Sequence, residues 1–299
     1  MSHTVNADRM PGSVLITGAE GGIARALAAT LAADGVQVWR TTRRRDNVAP
    51  QCLFLDLSES PEHWHLPPAP IDIAFLCAAI TSQAQCENQP EASAQVNVLH
   101  TVQLARQLAA AGAFVIFVST NLVLDGQTPF ADAAHPCNPQ TAYGRQKAEA
   151  ERQLLHLGQQ AAIVRFGKVI VPGMPLFEQW AGDLRAGKRI NPYHDLTMAP
   201  ISLSFAVEVL RRVALQRRAG IVQATAACDI SYGQAAVSIA QKLGAAPAQI
   251  EPVSHPQAVF APRHAALDTA GLAALGLAAP APEQAFDHFA PSAISTETR

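Results

Sequence analysis

No stretch of this 299-residue chain stays apolar for the ~18 residues that would suggest a membrane span, and its first ten residues are polar, without the apolar core of a secretory signal. A cytoplasmic protein that does not engage a membrane is the expectation. Charge of one sign is equally scarce. Lysine and arginine total 22 against 24 aspartate and glutamate, a formal net charge of −2, so no global basic field is available to recruit nucleic acid. The five cysteines (Cys52, Cys77, Cys86, Cys137, Cys228) are odd in number and never at CxxC spacing, which fits reduced thiols and argues against a disulfide framework or a zinc site. Ten histidines are present, yet neither His63 with His65 nor His135 with Cys137 has a second cluster to complete a metal site. Tyrosine is rare, with three in the chain, so a tyrosine in a patterned position carries weight.

What the chain does have is a succession of short apolar runs: residues 13–17, 36–39, 52–57, 71–78, 113–120 and 162–167. Runs apolar at nearly every position belong to strands buried on both faces of a parallel sheet. Helical spacing between several of them, as in Ile23, Leu27 and Leu31 before Gly35, and Val96, Leu99, Val102, Leu104 and Leu108 before Gly112, completes an α/β pattern of the Rossmann type, a doubly wound parallel sheet. After residue 167 the beat changes. Residues 1–167 therefore read as a nucleotide-binding domain, with 196–226 contributing to it, and 168–299 as mainly a smaller substrate-binding lobe over the carboxyl edge of the sheet. The segment "AALDTAGLAALGL" is expected to be helical.

Between the first strand and the first helix lies Thr17-Gly18-Ala19-Glu20-Gly21-Gly22-Ile23-Ala24. Gly18 suits a tight turn, Gly21 lets a phosphate approach the main chain, and small Ala24 lets the helix pack close to the sheet. At the end of the second strand, where a carboxylate would bind the ribose hydroxyls of NAD, the chain reads "WRTTRRRDN". Arginine there pairs with a 2′-phosphate, which favours NADP(H), with NAD(H) the alternative; Arg43 leads, ahead of Arg44 and Arg40. Asp56, ending the third strand, is placed to accept from an adenine amino group or to cap a turn.

In "TAYGRQKAEAE", Tyr143 and Lys147 stand four apart, on one face of a helix. A phenol becomes a useful acid–base group when a cation stabilises its phenolate. Ser119 and Thr120 end the fifth strand, where a hydroxyl can bond a substrate carbonyl, and strand alternation lets only one of the two face a ligand.

The TGxxGxxA turn, "CAAIT", Asn97-Val98, "VSTNLVLDG", "NPQTAYGRQKAEAE" and "IVRFGKVI", in this order, resemble an extended short-chain dehydrogenase/reductase. "STNLVLDG" and the late "APRHAALDTAGLAALGL" are similar to segments of the dTDP-4-dehydrorhamnose reductase family. That resemblance implies Thr120, Tyr143 and Lys147 as the catalytic set, with Lys147 also on the nicotinamide ribose. It implies Gly18, Gly21, Gly22 and Ile23 by the pyrophosphate, Asp56 and Leu57 by adenine, and Ala78, Ala79 and Thr81 along the cofactor. The implied reaction is hydride transfer from NAD(P)H to the 4-keto group of a nucleotide-linked deoxysugar, and a homodimer is the assembly expected by analogy.

The chain departs from the family pattern on the sugar side: Asn121 stands for Asp, Leu122 and Leu124 for aromatics, and Lys168 for Trp. The candidate substrate contacts are Ser119, Asn121, Lys168 and Arg263, and a pyrophosphate also has Arg185, Lys188 and Arg189 to choose from. Two other readings stay open: a sugar-nucleotide epimerase, and a non-catalytic NADP-binding regulatory subunit of the kind that accompanies methionine adenosyltransferase.

Overall fold

Val14, Leu15 and Ile16 have no exposed surface because β1 (Ser13–Ile16) lies inside a seven-stranded sheet with helices on both faces. The computed structural model describes residues 11–255 and 260–290. From β1 the chain runs through α1 (Gly22–Ala33), β2 (Gln37–Thr42), β3 (Cys52–Phe54) and β4 (Ile73–Leu76). Next come α2 (Gln83–Asn88), α3 (Pro90–Ala94), α4 (Thr101–Ala110), β5 (Phe114–Thr120), α5 (Ala142–Leu154) and β6 (Ala161–Phe166). Every neighbouring pair in the large sheet is parallel, and the order is β10-β6-β5-β4-β1-β2-β3, where β10 is Gly220–Ala224. The order reverses between β1 and β4. In an open sheet the loops leaving the carboxyl ends of two such strands part to opposite faces, and the crevice between them takes ligands.

One face of the sheet is covered by Leu27 and Leu31 of α1 with Val207 and Leu210 of α7 (Leu203–Gln216), and the other by Leu104 and Leu108 of α4 with Leu154 of α5. A third apolar core joins Phe177 and Trp180 of α6 (Pro175–Arg185), Ile239 of α8 (Tyr232–Leu243) and Phe286. Around it run two small sheets, β7 (Lys168–Ile170) with β9 (Pro200–Ser202), and β8 (Thr197–Met198) with β11 (Ile230–Ser231). The expected division therefore shifts in two places. Met198 belongs to the smaller core, whereas Leu272 and Leu275, expected in the lobe, pack into the large one beside α7.

Two helices expected from periodicity are altered. Between α3 and α4, Gln95–His100 forms a π-turn, which adds a residue to the turn and rotates the side chains beyond it. Leu99 consequently points outward, 61% exposed, while Asn97 is buried. In "AALDTAGLAALGL" only Ala270–Leu275 winds, as a 3-10 turn. The residues before it stay non-helical because Asp229 Oδ1 accepts the amides of Ala265 and Ala266 (2.9 and 2.7 Å). Among the described residues, no helix is long and apolar enough to cross a membrane, and no group of three or more His, Cys, Asp or Glu side chains is arranged to hold a metal.

Candidate active site

A cavity of about 490 Å³ opens at the carboxyl ends of β1 to β4, lined by Gly18, Glu20, Gly21, Arg43, Asp56, Leu57, Ala78, Ala79 and Thr81 among others. Eight of the residues expected along a dinucleotide thus meet around one recess. Thr17 Oγ1 accepts the amides of Cys77 and Ala78, each at 3.0 Å, which draws the end of β4 against the glycine turn. Gly18 then has φ +75°, and a Cβ there would lie 3.0 Å from the Cα of Ala78, so both the backbone conformation and the space exclude a side chain. No side chain caps α1 and no acidic residue stands in its first turn, leaving its first amides and positive dipole end available to an anion. Gly18→Ala is expected to weaken dinucleotide binding at least about tenfold and to cost about 1–2 kcal/mol of stability, read by titration and by urea unfolding of the same samples.

Gly22, Ile23 and Arg44 fall outside this lining. A Cβ on Gly22 would come 2.6 Å from Val171, so that glycine makes room for the segment after β7. Ile23 packs against the large core. Arg44 is exposed and donates its amide to Thr42 Oγ1 at 3.0 Å. Asp56 lines the recess, and its Oδ1 accepts the Ser58 amide and hydroxyl, both at 2.8 Å, as a turn cap does.

The catalytic candidates lie one strand further along. β4 and β5 are in register at Leu76 and Phe117, so Cys77 and Ala78 run beside Val118 and Ser119 as the strands end. Lys147 is buried, donates to the Val118 carbonyl at 2.7 Å and sits 4.2 Å from the Phe117 ring centre. Burial pushes its ammonium down to about 8, against the opposing pull of Glu151. Tyr143 is half-buried, and burial raises its phenol above the ordinary value of 10.0. The lysine therefore does not lower the phenol's affinity for its proton here; its ammonium is spent on Val118 instead. Gly144 has no room for a side chain, since a Cβ would collide with the Leu122 carbonyl. The start of α5 accordingly rests on the 3-10 turn Asn121–Val123 directly after Thr120.

A pH dependence follows from Lys147. From pH about 8 up to its ordinary value of 10.5, the unfolded chain holds a proton that the folded chain has lost, so stability rises with pH across that window. The gain is on the order of 3 kcal/mol. Lys147→Met is expected to flatten the rise, measured by urea unfolding of the ligand-free protein between pH 7 and pH 10.

The recess and α5 are tied by one buried side chain. Asn97 Oδ1 accepts the Ile80 amide at 2.8 Å, while its Nδ2 donates to the Ile80 carbonyl at 2.9 Å and to Gln146 Oε1 at 2.8 Å. Ile80 lines the recess, and Gln146 precedes Lys147.

Several expected substrate contacts are engaged elsewhere. Ser119 is a correction. Its hydroxyl donates to Glu151, inside a buried ion pair between Glu151 and Arg165 (2.7 Å, side chains 2% and 3% exposed). Alternation then leaves Thr120 on the opposite face, its Oγ1 accepting the Leu122 amide at 3.2 Å. Asn121 donates to the Ala265 carbonyl at 3.1 Å, fastening the segment of Arg263 to the site. Lys188 pairs with Asp183 and Arg189 with Glu251, which withdraws both from the cation set. Lys168 and Arg263 are exposed and have no ion-pair partner among the described residues. Protein walls around Lys168 lower its ammonium below the ordinary 10.5.

A family model, the RmlD substrate binding domain, matches residues 12–291. The chain belongs to the RmlD substrate binding domain family. Methionine adenosyltransferase 2 subunit beta of Bos taurus is 28% identical over 214 residues, 67% of this chain and 64% of that protein. A dTDP-4-dehydrorhamnose reductase of Mycobacterium tuberculosis is 31% identical over 195 residues, 62% of this chain and 64% of that one. The curated relatives are thus matched over less than two thirds of their own length. Among solved structures, the Bacillus anthracis dTDP-4-dehydrorhamnose reductase in complex with NADP aligns at TM-score 0.80 with 20% identity, covering 94% of this chain and 98% of that one. It shares the fold described above.

Four residues of this RmlD-family site escaped the reading from sequence. Gly144 carries a local signal, since a glycine in the first turn of a helix costs propensity and needs a reason. Glu20 carries another, an acid set into a turn built for anions. Glu151 and Arg165 carry none, because a buried ion pair between a helix and a strand is visible only once the two are packed.

Proposed function

We propose that this RmlD-family protein is an NAD(P)(H)-dependent reductase acting on the 4-keto group of a nucleotide-linked deoxysugar. The observation that carries the reading is the pairing, through Asn97, of the glycine-turn recess with α5, the helix that bears Tyr143 and Lys147, next to the strand end that bears Thr120. The recess fits such a ligand on its own terms. Gly18 lets the glycine turn lie against Ala78, where a Cβ would collide, so that both line one recess, and α1 presents uncapped amides. Gly18 and Gly21 would hold the phosphates, Asp56 and Leu57 the adenine, and Ala78, Ala79 and Thr81 the middle of the ligand. When bound, the dihydronicotinamide supplies the hydride.

This chain's own residues supply the proton and the alignment. The raised phenol value keeps Tyr143 protonated at neutral pH, the state a general acid needs when a ketone becomes an alcohol. Lys147, one turn further along the same helix face, is assigned to the nicotinamide ribose and not to the phenol, since its ammonium donates to the Val118 carbonyl. The Thr120 hydroxyl is placed to hold the carbonyl oxygen; its donor bond to Asn121 Oδ1 is long, 3.4 Å, and readily exchanged. Exposed Lys168 and Arg263 suit the diphosphate of a nucleotide sugar. A homodimer in the cytoplasm is part of the same reading.

A non-catalytic dinucleotide-binding subunit is the second reading, supported by the similarity to methionine adenosyltransferase 2 subunit beta over 67% of this chain. A panel of 4-keto nucleotide sugars separates the two. Consumption of one NAD(P)H per sugar reduced supports the reductase; tight dinucleotide binding with no turnover across the panel supports the subunit.

A further inference from the structure

The recess contains an acid that the dinucleotide reading leaves without a task. Glu20 stands between Gly18 and Gly21, lines the cavity and is half-buried. Its Oε1 accepts from Thr42 Oγ1 and, at 3.1 Å, from Asn47 Nδ2. Both bonds fall on the same oxygen, and Oε2 has no hydrogen-bond partner among the described residues. Thr42 is the last residue of β2. Dinucleotide-binding sheets that take NAD place a carboxylate at the end of the second strand to accept from the ribose hydroxyls. Here the strand end has lost that carboxylate to Thr42 and Arg43, and an equivalent one reaches the same strand end from the glycine turn.

Resting on the dinucleotide reading of the recess, we propose that Glu20 reads the 2′ position of the adenosine ribose. It accepts a hydrogen bond from a hydroxyl there and repels a phosphate, so that the chain takes NAD(H) ahead of NADP(H). Arg43 lines the same cavity and pulls the other way. The two are unequal. Arg43 is exposed, so solvent and salt screen its charge and its side chain must be ordered to act. Glu20 is already held by two bonds. Burial alone would raise its carboxyl, but the bonds from Thr42 and Asn47 outweigh this and hold it below the ordinary 4.5, so it is charged throughout the neutral range. A second negative group beside a fixed carboxylate is disfavoured however well the rest of the ligand fits.

Fluorescence titration of the full chain with NADH and with NADPH tests this without reference to turnover. The native protein is expected to bind NADH more tightly, and Glu20→Gln, which keeps the acceptor for Thr42, to shift the affinity ratio toward NADPH by about tenfold or more. Asn47→Ala removes a bond but leaves the charge, and should preserve the native preference; Arg43→Ala should strengthen it. A native preference for NADPH that Glu20→Gln leaves unchanged overturns the proposal while the dinucleotide reading stands. Failure of every form to bind either dinucleotide overturns both.

Discussion

Tyr143→Phe is expected to lower the rate of ketone reduction by about two to four orders of magnitude and to leave NAD(P)H affinity within about twofold. Phenylalanine keeps the ring that α5 packs in place and removes only the hydroxyl, so the loss isolates the proton. A developing alkoxide without a donor has water as its only acid, and the half-buried setting that raises the phenol's value also limits water. Stopped-flow loss of dihydronicotinamide absorbance gives the rate, and equilibrium titration gives the affinity. A rate within tenfold of native would assign the proton to another group and leave Tyr143 a packing residue.

The second large effect concerns stability. Glu151→Gln is expected to destabilise the fold by about 3–5 kcal/mol. Arg165 is 3% exposed, and its charge is answered by two bonds to Glu151 Oε2, at 3.0 and 2.7 Å, while Nη1 donates to Gln223 Oε1 at 3.3 Å and the Ala133 carbonyl at 3.4 Å. Glutamine keeps the shape but leaves the guanidinium buried without a counter-charge. Replacing both partners by methionine should cost less than the single change, because neither charge is then buried. Urea unfolding at pH 7 measures both variants. A loss under about 1 kcal/mol for the single change would mean that Arg165 finds water or another anion. The same network anchors Ser119 between Val118, which holds Lys147, and Thr120. Glu151→Gln should therefore also loosen the strand end beside Lys147 and Thr120.

The parallel sheet was legible because its strands, buried on both faces, are apolar at nearly every position, and the glycine turn because Gly18 has a conformation and a neighbour that exclude side chains. Tyr143 and Lys147 were legible because helical spacing alone places them on one face. What the sequence concealed depends on long-range contacts. Ser119 and Thr120 are chemically alike, and only the Glu151–Arg165 pair behind the sheet shows which hydroxyl is taken. The π-turn at Gln95–His100 breaks the period that would have buried Leu99, and in exchange it brings Asn97 to Ile80 and Gln146. Lys188 and Arg189 read as free cations until Asp183 and Glu251 are found beside them. Glu20 drew no role from the sequence, because its partners, Thr42 and Asn47, lie beyond a complete helix.

The most direct test follows the hydride itself. The native chain is given NAD(P)H carrying deuterium at the transferable position of the dihydronicotinamide, together with 4-keto nucleotide sugars, and the products are read by mass spectrometry and NMR. Deuterium at sugar C4, in one stereochemistry and at one label per dinucleotide oxidised, is the expected result. Tight binding of both ligands with no deuterium delivered to any sugar would contradict the reductase assignment and leave a protein that holds the dinucleotide without using it.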